Sequence, residues 1–304
     1  MNPPTRENSG WPVHVALLGA QTGFSLFPIF GKLALATIPP MVLAAFRVVA
    51  ASLLLAMFRR FSGEERIAPG DRKRILLFAL LGVSFNQVLF IFGLSLTTAI
   101  NTTILTAMIP IYTLAAAALL RHERLTVRGA AALLLAAPGA LLLLRAESFD
   151  WHNEYFRGDL MLIANGISYA FYLVLSRPIL ARYRVLTVVS GVFAYGTLPI
   201  ALAALPSLAA FSARRVTAVG WESLAAVILL CTVLPYFWNS WALARTHASR
   251  VAFYIFLQPL ISSALAILVL GERLTLRTAA AALLILSGLA VSLSPARLAA
   301  RPIP

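Results

Sequence analysis

The sequence contains a single cysteine, Cys231, set in an apolar stretch, so no disulfide can form within the chain. Acidic residues are scarce, 11 Asp and Glu among 304 residues, and none lies well inside an apolar run. The sequence therefore lacks the intramembrane carboxylate that commonly couples transport to protons or sodium. Histidine is also rare. His14 and His152 lie near run ends or in a loop, and His122 and His247 lie in short connections. No His-Glu pair has metal-ligand spacing and no glycine-rich phosphate loop follows a strand, which argues against a metal site, a cofactor or an enzyme built inside the membrane.

What is present is apolar. Hydrophobic residues make up 60% of the chain, charged residues 12%, and the mean hydropathy is +0.86. One soluble core of this size cannot hide so much apolar surface. Runs of roughly 20 apolar residues, each long enough to cross a hydrocarbon core of about 30 Å as helix, fall at 13–36, 40–58, 75–96, 101–120 and 127–145. Five more fall at 158–181, 186–209, 221–244, 249–270 and 276–294. Lipid offers backbone groups no hydrogen-bond partner, and continuous runs exclude the alternating strands of a barrel. The expected fold is an all-α integral membrane protein with ten transmembrane helices.

The chain is also written twice. At an offset of 149 residues, Glu123-Arg124-Leu125-Thr126 returns as Glu272-Arg273-Leu274-Thr275, Pro110 as Pro259 and Gly139 as Gly288, with 15 identities over the 30 positions from 110 to 139. This predicts a first five-helix unit over 1–146, a polar linker over 147–157 and a second five-helix unit over 158–304. Because five crossings is an odd number, the second unit enters from the opposite side, and a tandem sequence repeat becomes an inverted structural repeat around a central cavity. Glu123 and Glu272 then belong to opposite faces. Such a pair of units can open a shared site alternately to either side, which favours a transporter over a passive pore.

The formal net charge of +14 has to be sorted by side of the membrane, which removes nucleic acid as the expected partner. Connections on the side of the N-terminus carry 17 of the 25 basic residues, the other side carries 6, and Lys32 and Arg47 sit within spans. By the positive-inside rule both termini are expected in the cytoplasm. Arginine outnumbers lysine 23 to 2 beside abundant alanine and leucine, a bias associated with GC-rich bacterial genomes, so the expected address is a bacterial inner membrane.

These residues resemble the EamA-type family of the drug/metabolite transporter superfamily. The resemblance rests on the proline that precedes Glu-Arg-Leu-Thr by thirteen residues in each half, on Pro39-Pro40 leading into Ala44-Ala45-Phe46-Arg47, and on Gly158-Asp159-Leu160 opening the sixth span. It implies export or exchange of small metabolites, amino acids among them, with the fifth and tenth helices at the periphery. The first span reads Gly23-Phe24-Ser25-Leu26-Phe27-Pro28, without the tryptophan frequent in relatives.

Within the spans, polar residues fall on helical faces, where a bilayer tolerates them when they meet one another or water. Stripes are formed by Gln21, Ser25 and Lys32; by Ser84, Gln87, Ile91 and Ser95; and by Thr102, Thr106 and Thr113. The expected lining of a substrate cavity is Gln21, Arg47, Gln87, Asn165, Tyr169, Tyr172, Tyr236, Trp238, Asn239, Tyr254 and Gln258. Aromatic walls with a few amides suit a partly apolar substrate. Pro28, Pro110, Pro235 and Pro259 interrupt hydrogen-bond ladders and are the expected kinks or hinges. Lys32, near a helix end, is expected to snorkel. Arg47 lies deeper, where an unpaired charge costs about 2.5 to 3.5 kcal/mol, and is expected to pair with carbonyls or attract a carboxylate. Glu123 and Glu272, at helix ends, are expected to cap or anchor.

The function expected from these residues is export of small metabolites, aromatic or other apolar amino acids foremost. Efflux of drugs or other cations is the alternative. The expected partners are a small-molecule substrate and the lipid bilayer. Small-residue runs such as Ala115 to Ala118 and Ala279 to Ala282 allow a monomer or a homodimer.

Overall fold

The computed structural model describes residues 10–63, 65–97, 99–123, 126–143, 156–261, 264 and 276–293. Glu272, the Glu147 to Glu154 junction and both chain ends lie outside the described residues. Six helices are long and apolar enough to cross a membrane, and four shorter apolar helices accompany them. In chain order they are α1 (Trp11–Leu35), α2 (Pro40–Phe61), α3 (Pro69–Leu96), α4a (Ala99–Thr106) with α4b (Ile109–Leu119), and α5 (Val127–Leu143). The second half holds α6 (Phe156–Leu180), α7 (Val185–Ala209), α8 (Ala218–Leu243), α9 (Ala248–Ile261) and α10 (Leu276–Leu293). The protein is an all-helical membrane protein of ten spans.

Helix starts and stops follow local chemistry. Pro12 and Pro40 sit in the first turns of α1 and α2, where a missing N–H is harmless. Arg59 and Arg60 close α2, where positive charge meets the negative end of the helix dipole. Thr217 caps α8 by accepting from the Gly220 N–H at 3.1 Å.

The duplication is visible in packing. α6 packs on α3 as α1 packs on α8, while α2 packs on α7 and α5 on α10. Each of these is a pairing expected from a two-fold relation between the halves. Irregularities repeat too. A π turn interrupts α3 at Leu80–Ser84 and α8 at Leu229–Val233, the same offset of 149 seen in the sequence. α4a stops at Thr106 just before Pro110, and α9 narrows to a 3-10 turn over Tyr254–Phe256 just before Pro259. Pro28 lies inside α1, and Pro235 is in the first turn after the π segment of α8.

The fifth and tenth helices, expected at the periphery, grip each other. A Cβ added at Gly139 would lie 3.0 Å from the Ala281 carbonyl, and one added at Gly288 would lie 2.7 Å from the Ala132 carbonyl. The two contacts are reciprocal, since Ala132 and Ala281 are themselves repeat mates. Missing side chains let the two backbones approach, the usual means of helix association in lipid. Leu134 and Leu283 on the other faces remain exposed.

Candidate functional site

The central cavity forms where both halves contribute irregular or polar segments. Its volume is about 80 Å3, room for several waters. Gln21 and Pro28 from α1, Arg47 from α2 and Gln87 from α3 line it on the first half. Asn165 and Tyr169 from α6, Tyr236 from α8 and Gln258 from α9 line it on the second.

Arg47 is the charged member of this wall and is only 3% exposed. Its Nε–H donates to Thr232 Oγ1 at 2.6 Å, and Nη1 donates to Gln87 Oε1. The guanidinium also lies 4.1 Å from the centre of the Phe27 ring, where the ring quadrupole attracts it. Thr232 can serve Arg47 because it sits in the π turn of α8, donating its own hydroxyl to the Val227 carbonyl five residues back, at 2.6 Å. All these partners are neutral, and among the described residues no Asp or Glu lines the cavity. The positive charge therefore faces the cavity without a carboxylate to balance it.

Around Arg47 the amides and phenols are tied into one network. Gln87 Nε2 donates to the Tyr236 hydroxyl, and Tyr236 donates towards the Gly82 carbonyl at 3.1 Å and Asn86 Oδ1 at 3.2 Å. Asn165 Nδ2 donates to the Asn86 carbonyl at 2.8 Å. At another point of the wall Gln258 Nε2 donates to Gln21 Oε1 at 2.8 Å, joining α9 to α1. Buried polar groups in lipid are costly unless satisfied, and this lattice holds the side chains in fixed orientations. Phe24 and Phe90 complete the aromatic wall.

Four expected lining residues stand elsewhere. Tyr172 is 1% exposed and packs against Gly82, where an added Cβ would lie 2.5 Å from its ring, so it supports Tyr169 from behind. Asn239 is buried and donates to the Tyr169 hydroxyl at 3.1 Å, again behind the wall. Trp238 points out of the bundle, and Tyr254 hydrogen-bonds His14 between α9 and α1. Asn86, Phe24 and Phe90, which the helical stripes did not single out, do line the cavity. Most hydroxyls of the stripes bond their own helix, Ser95 to the Phe92 carbonyl, Thr106 to Thr102 and Thr113 to Ile109, although Ser25 and Thr106 also border the cavity.

The ends of the bundle explain the other charges. Lys32 does not simply reach for water; its Nζ donates to the Thr97 carbonyl at 2.5 Å, closing the end of α3. Beside it Asp159, fully buried in the first turn of α6, accepts from Thr97 Oγ1 at 2.8 Å, away from the cavity. On the opposite side Glu123 accepts from the Ala248 N–H at 2.8 Å and from the Ser249 hydroxyl, capping α9 from the first half.

A model of the EamA-like transporter family matches residues 11–145 and again residues 156–294. The chain belongs to this family. An uncharacterized transporter of Archaeoglobus fulgidus is 27% identical over 266 residues, covering 86% of this chain and 90% of the relative. Protein WALLS ARE THIN 1 of Arabidopsis thaliana is 26% identical, covering 91% of this chain and 81% of the relative. A solved crystal structure at 18% identity superposes with a TM-score of 0.77 over 92% of this chain and 96% of the other, which establishes the fold. As an EamA-like protein the chain is a multi-pass membrane transporter of the drug/metabolite transporter superfamily, and its two family matches flank the polar junction.

Proposed function

We propose that this transporter exports small carboxylate-bearing metabolites, foremost amino acids with aromatic or other apolar side chains, by alternating access around the central cavity. The observation that carries the reading is Arg47, a buried cation on the cavity wall whose hydrogen-bond partners are all neutral. A substrate carboxylate supplies the missing counter-charge, and a charge-assisted bond of this kind contributes about 1.5 to 3 kcal/mol. Phe24, Phe90, Tyr169 and Tyr236 offer faces for an apolar side chain. The cavity volume of about 80 Å3 is smaller than an ordinary ligand site, so binding requires the halves to part, as an alternating cycle does.

No carboxylate lines the cavity among the described residues, which supports movement down the substrate's own gradient without ion coupling. The transport step needs no catalytic group. The bias of 17 basic residues to 6 supports cytoplasmic termini, and the composition a bacterial inner membrane. Efflux of cationic or amphipathic drugs is the second reading, favoured by the aromatic walls, which can hold quaternary ammonium groups. Arg47 repels such cargo.

Counterflow in proteoliposomes separates the two, using labelled amino acids, purines, sugars and quaternary ammonium compounds without an ion gradient. Exchange of aromatic amino acids supports the proposal. Exchange of quaternary ammonium compounds alone replaces it with the second reading, and accumulation that demands an imposed proton gradient overturns the uncoupled mechanism.

A further inference from the structure

A second concavity of about 470 Å3 lies between α1 and α8 on the outer surface of the bundle. α1 contributes Pro12, Val15, Ala16 and Gly19, spaced so that they share one helical face. α8 contributes Phe237, Trp238 and Trp241. The groove has a closed end and an open one. At the closed end the Trp238 ring packs on Gly19, where an added Cβ would lie 2.8 Å from it. From Gly19 to Pro12 the groove runs seven residues of helix, about 10 Å, towards the membrane surface where α1 begins and α8 ends. There Arg245 lies two residues beyond α8, exposed, with its guanidinium 3.8 Å over the Trp241 ring and Nη1 donating to the Trp241 carbonyl at 2.8 Å.

An apolar slot roofed by tryptophan, with a fixed guanidinium at its mouth, has the polarity of a single amphiphile. Among the described residues no carboxylate lines it, and its mouth is on the side to which the sequence assigns 17 of the 25 basic residues. A helix of a second copy, about 10 Å across with its side chains, does not enter a slot whose far end is already shut by Trp238 on Gly19. We infer that the groove holds one acyl chain of an anionic phospholipid, whose phosphate pairs with Arg245. The site is separate from the central cavity, and binding there fixes the angle between α1 of the first half and α8 of the second.

The test is native mass spectrometry of the full chain after reconstitution in nanodiscs of phosphatidylglycerol and phosphatidylcholine in equal amounts. The expected result is about fivefold enrichment of retained phosphatidylglycerol, the preference one interfacial arginine confers. Arg245→Gln brings the ratio to parity, Arg245→Lys keeps most of it, and Ala16→Trp, which fills the slot, lowers retention of both lipids. Equal retention by the unaltered protein overturns the inference, as does an Arg245→Gln variant with the preference intact or a lipid-free dimer. Should Arg245→Gln fail to fold, quenching of native tryptophan fluorescence by brominated lipids decides the matter. Stronger quenching by brominated phosphatidylglycerol than by brominated phosphatidylcholine supports the site, and equal quenching refutes it.

Discussion

Gln87 and Tyr236 occupy the same place in the two repeats, 149 residues apart, and they hydrogen-bond to each other at the wall of the central cavity. Each follows the π turn of its own helix by three residues. The two halves thus meet, through repeat mates of different chemistry, beside Arg47, the buried cation of the cavity wall.

That contact is open to measurement. Tyr236→Phe removes the hydroxyl that accepts from Gln87 and donates towards Gly82, and is expected to cost about 1 kcal/mol of stability. A double-mutant cycle with Gln87→Leu should give a coupling of about 0.5 kcal/mol or more. Strict additivity in thermal denaturation would deny the bond an energetic role.

Arg47 tests the substrate reading. Arg47→Ala is expected to slow counterflow of carboxylate substrates by about 10- to 100-fold, the equivalent of one charge-assisted bond. Arg47→Lys should restore part of the rate, because the charge returns without the planar fork that reaches Thr232 and Gln87 together. Normal rates in a properly inserted Arg47→Ala protein would remove the central argument for anionic cargo.

Substitutions in the α5 to α10 seam should act on stability. Gly139→Leu and Gly288→Leu drive side chains into the Ala281 and Ala132 backbones, with an expected loss of about 1 to 3 kcal/mol. Gly129→Ala is the control, since its nearest neighbour is the Thr126 hydroxyl at 3.3 Å and the loss should be small. The melting temperature in detergent reports both.

Glu123→Ala removes the cap that the first half places on α9, and is expected to cost about 0.5 to 2 kcal/mol. Glu123→Gln keeps an acceptor oxygen and should recover part of the loss. A melting temperature unchanged in both variants would show the cap to be idle.

The inverted arrangement is checked by labelling from each side. In a Cys231→Ala background, cysteines introduced at positions 123 and 272 should react with impermeant thiol reagents added to opposite faces of the membrane. Labelling of both from one face would contradict an odd number of crossings per half.

The spans, the duplication and the central placement of Gln21, Arg47, Gln87, Asn165, Tyr169, Tyr236 and Gln258 can be read in the sequence, because hydropathy and helical periodicity act over many residues at once. The remainder depends on single contacts. Tyr169 and Tyr172 lie on neighbouring helical faces, and only the closeness of Gly82 decides which one meets the cavity. Asn86 escapes a periodicity argument because it lies one residue, about 100° of helix, from Gln87 and so falls off the three- and four-residue steps of the stripe, while the π turn just before both residues adds a further irregularity. Nothing in Leu80-Leu81-Gly82-Val83-Ser84 announces that turn. Trp238 looks like a cavity aromatic by composition, and its outward direction follows from the small residue Gly19 opposite it.

The reciprocal grip of Gly139 on Ala281 and of Gly288 on Ala132 bears on descent. A half-length ancestor inserted in both orientations would already possess this seam, made between two identical chains. Joining two such copies in one chain would keep that seam while leaving each half free to differ where a symmetric pair must be alike, as Gln87 and Tyr236 differ.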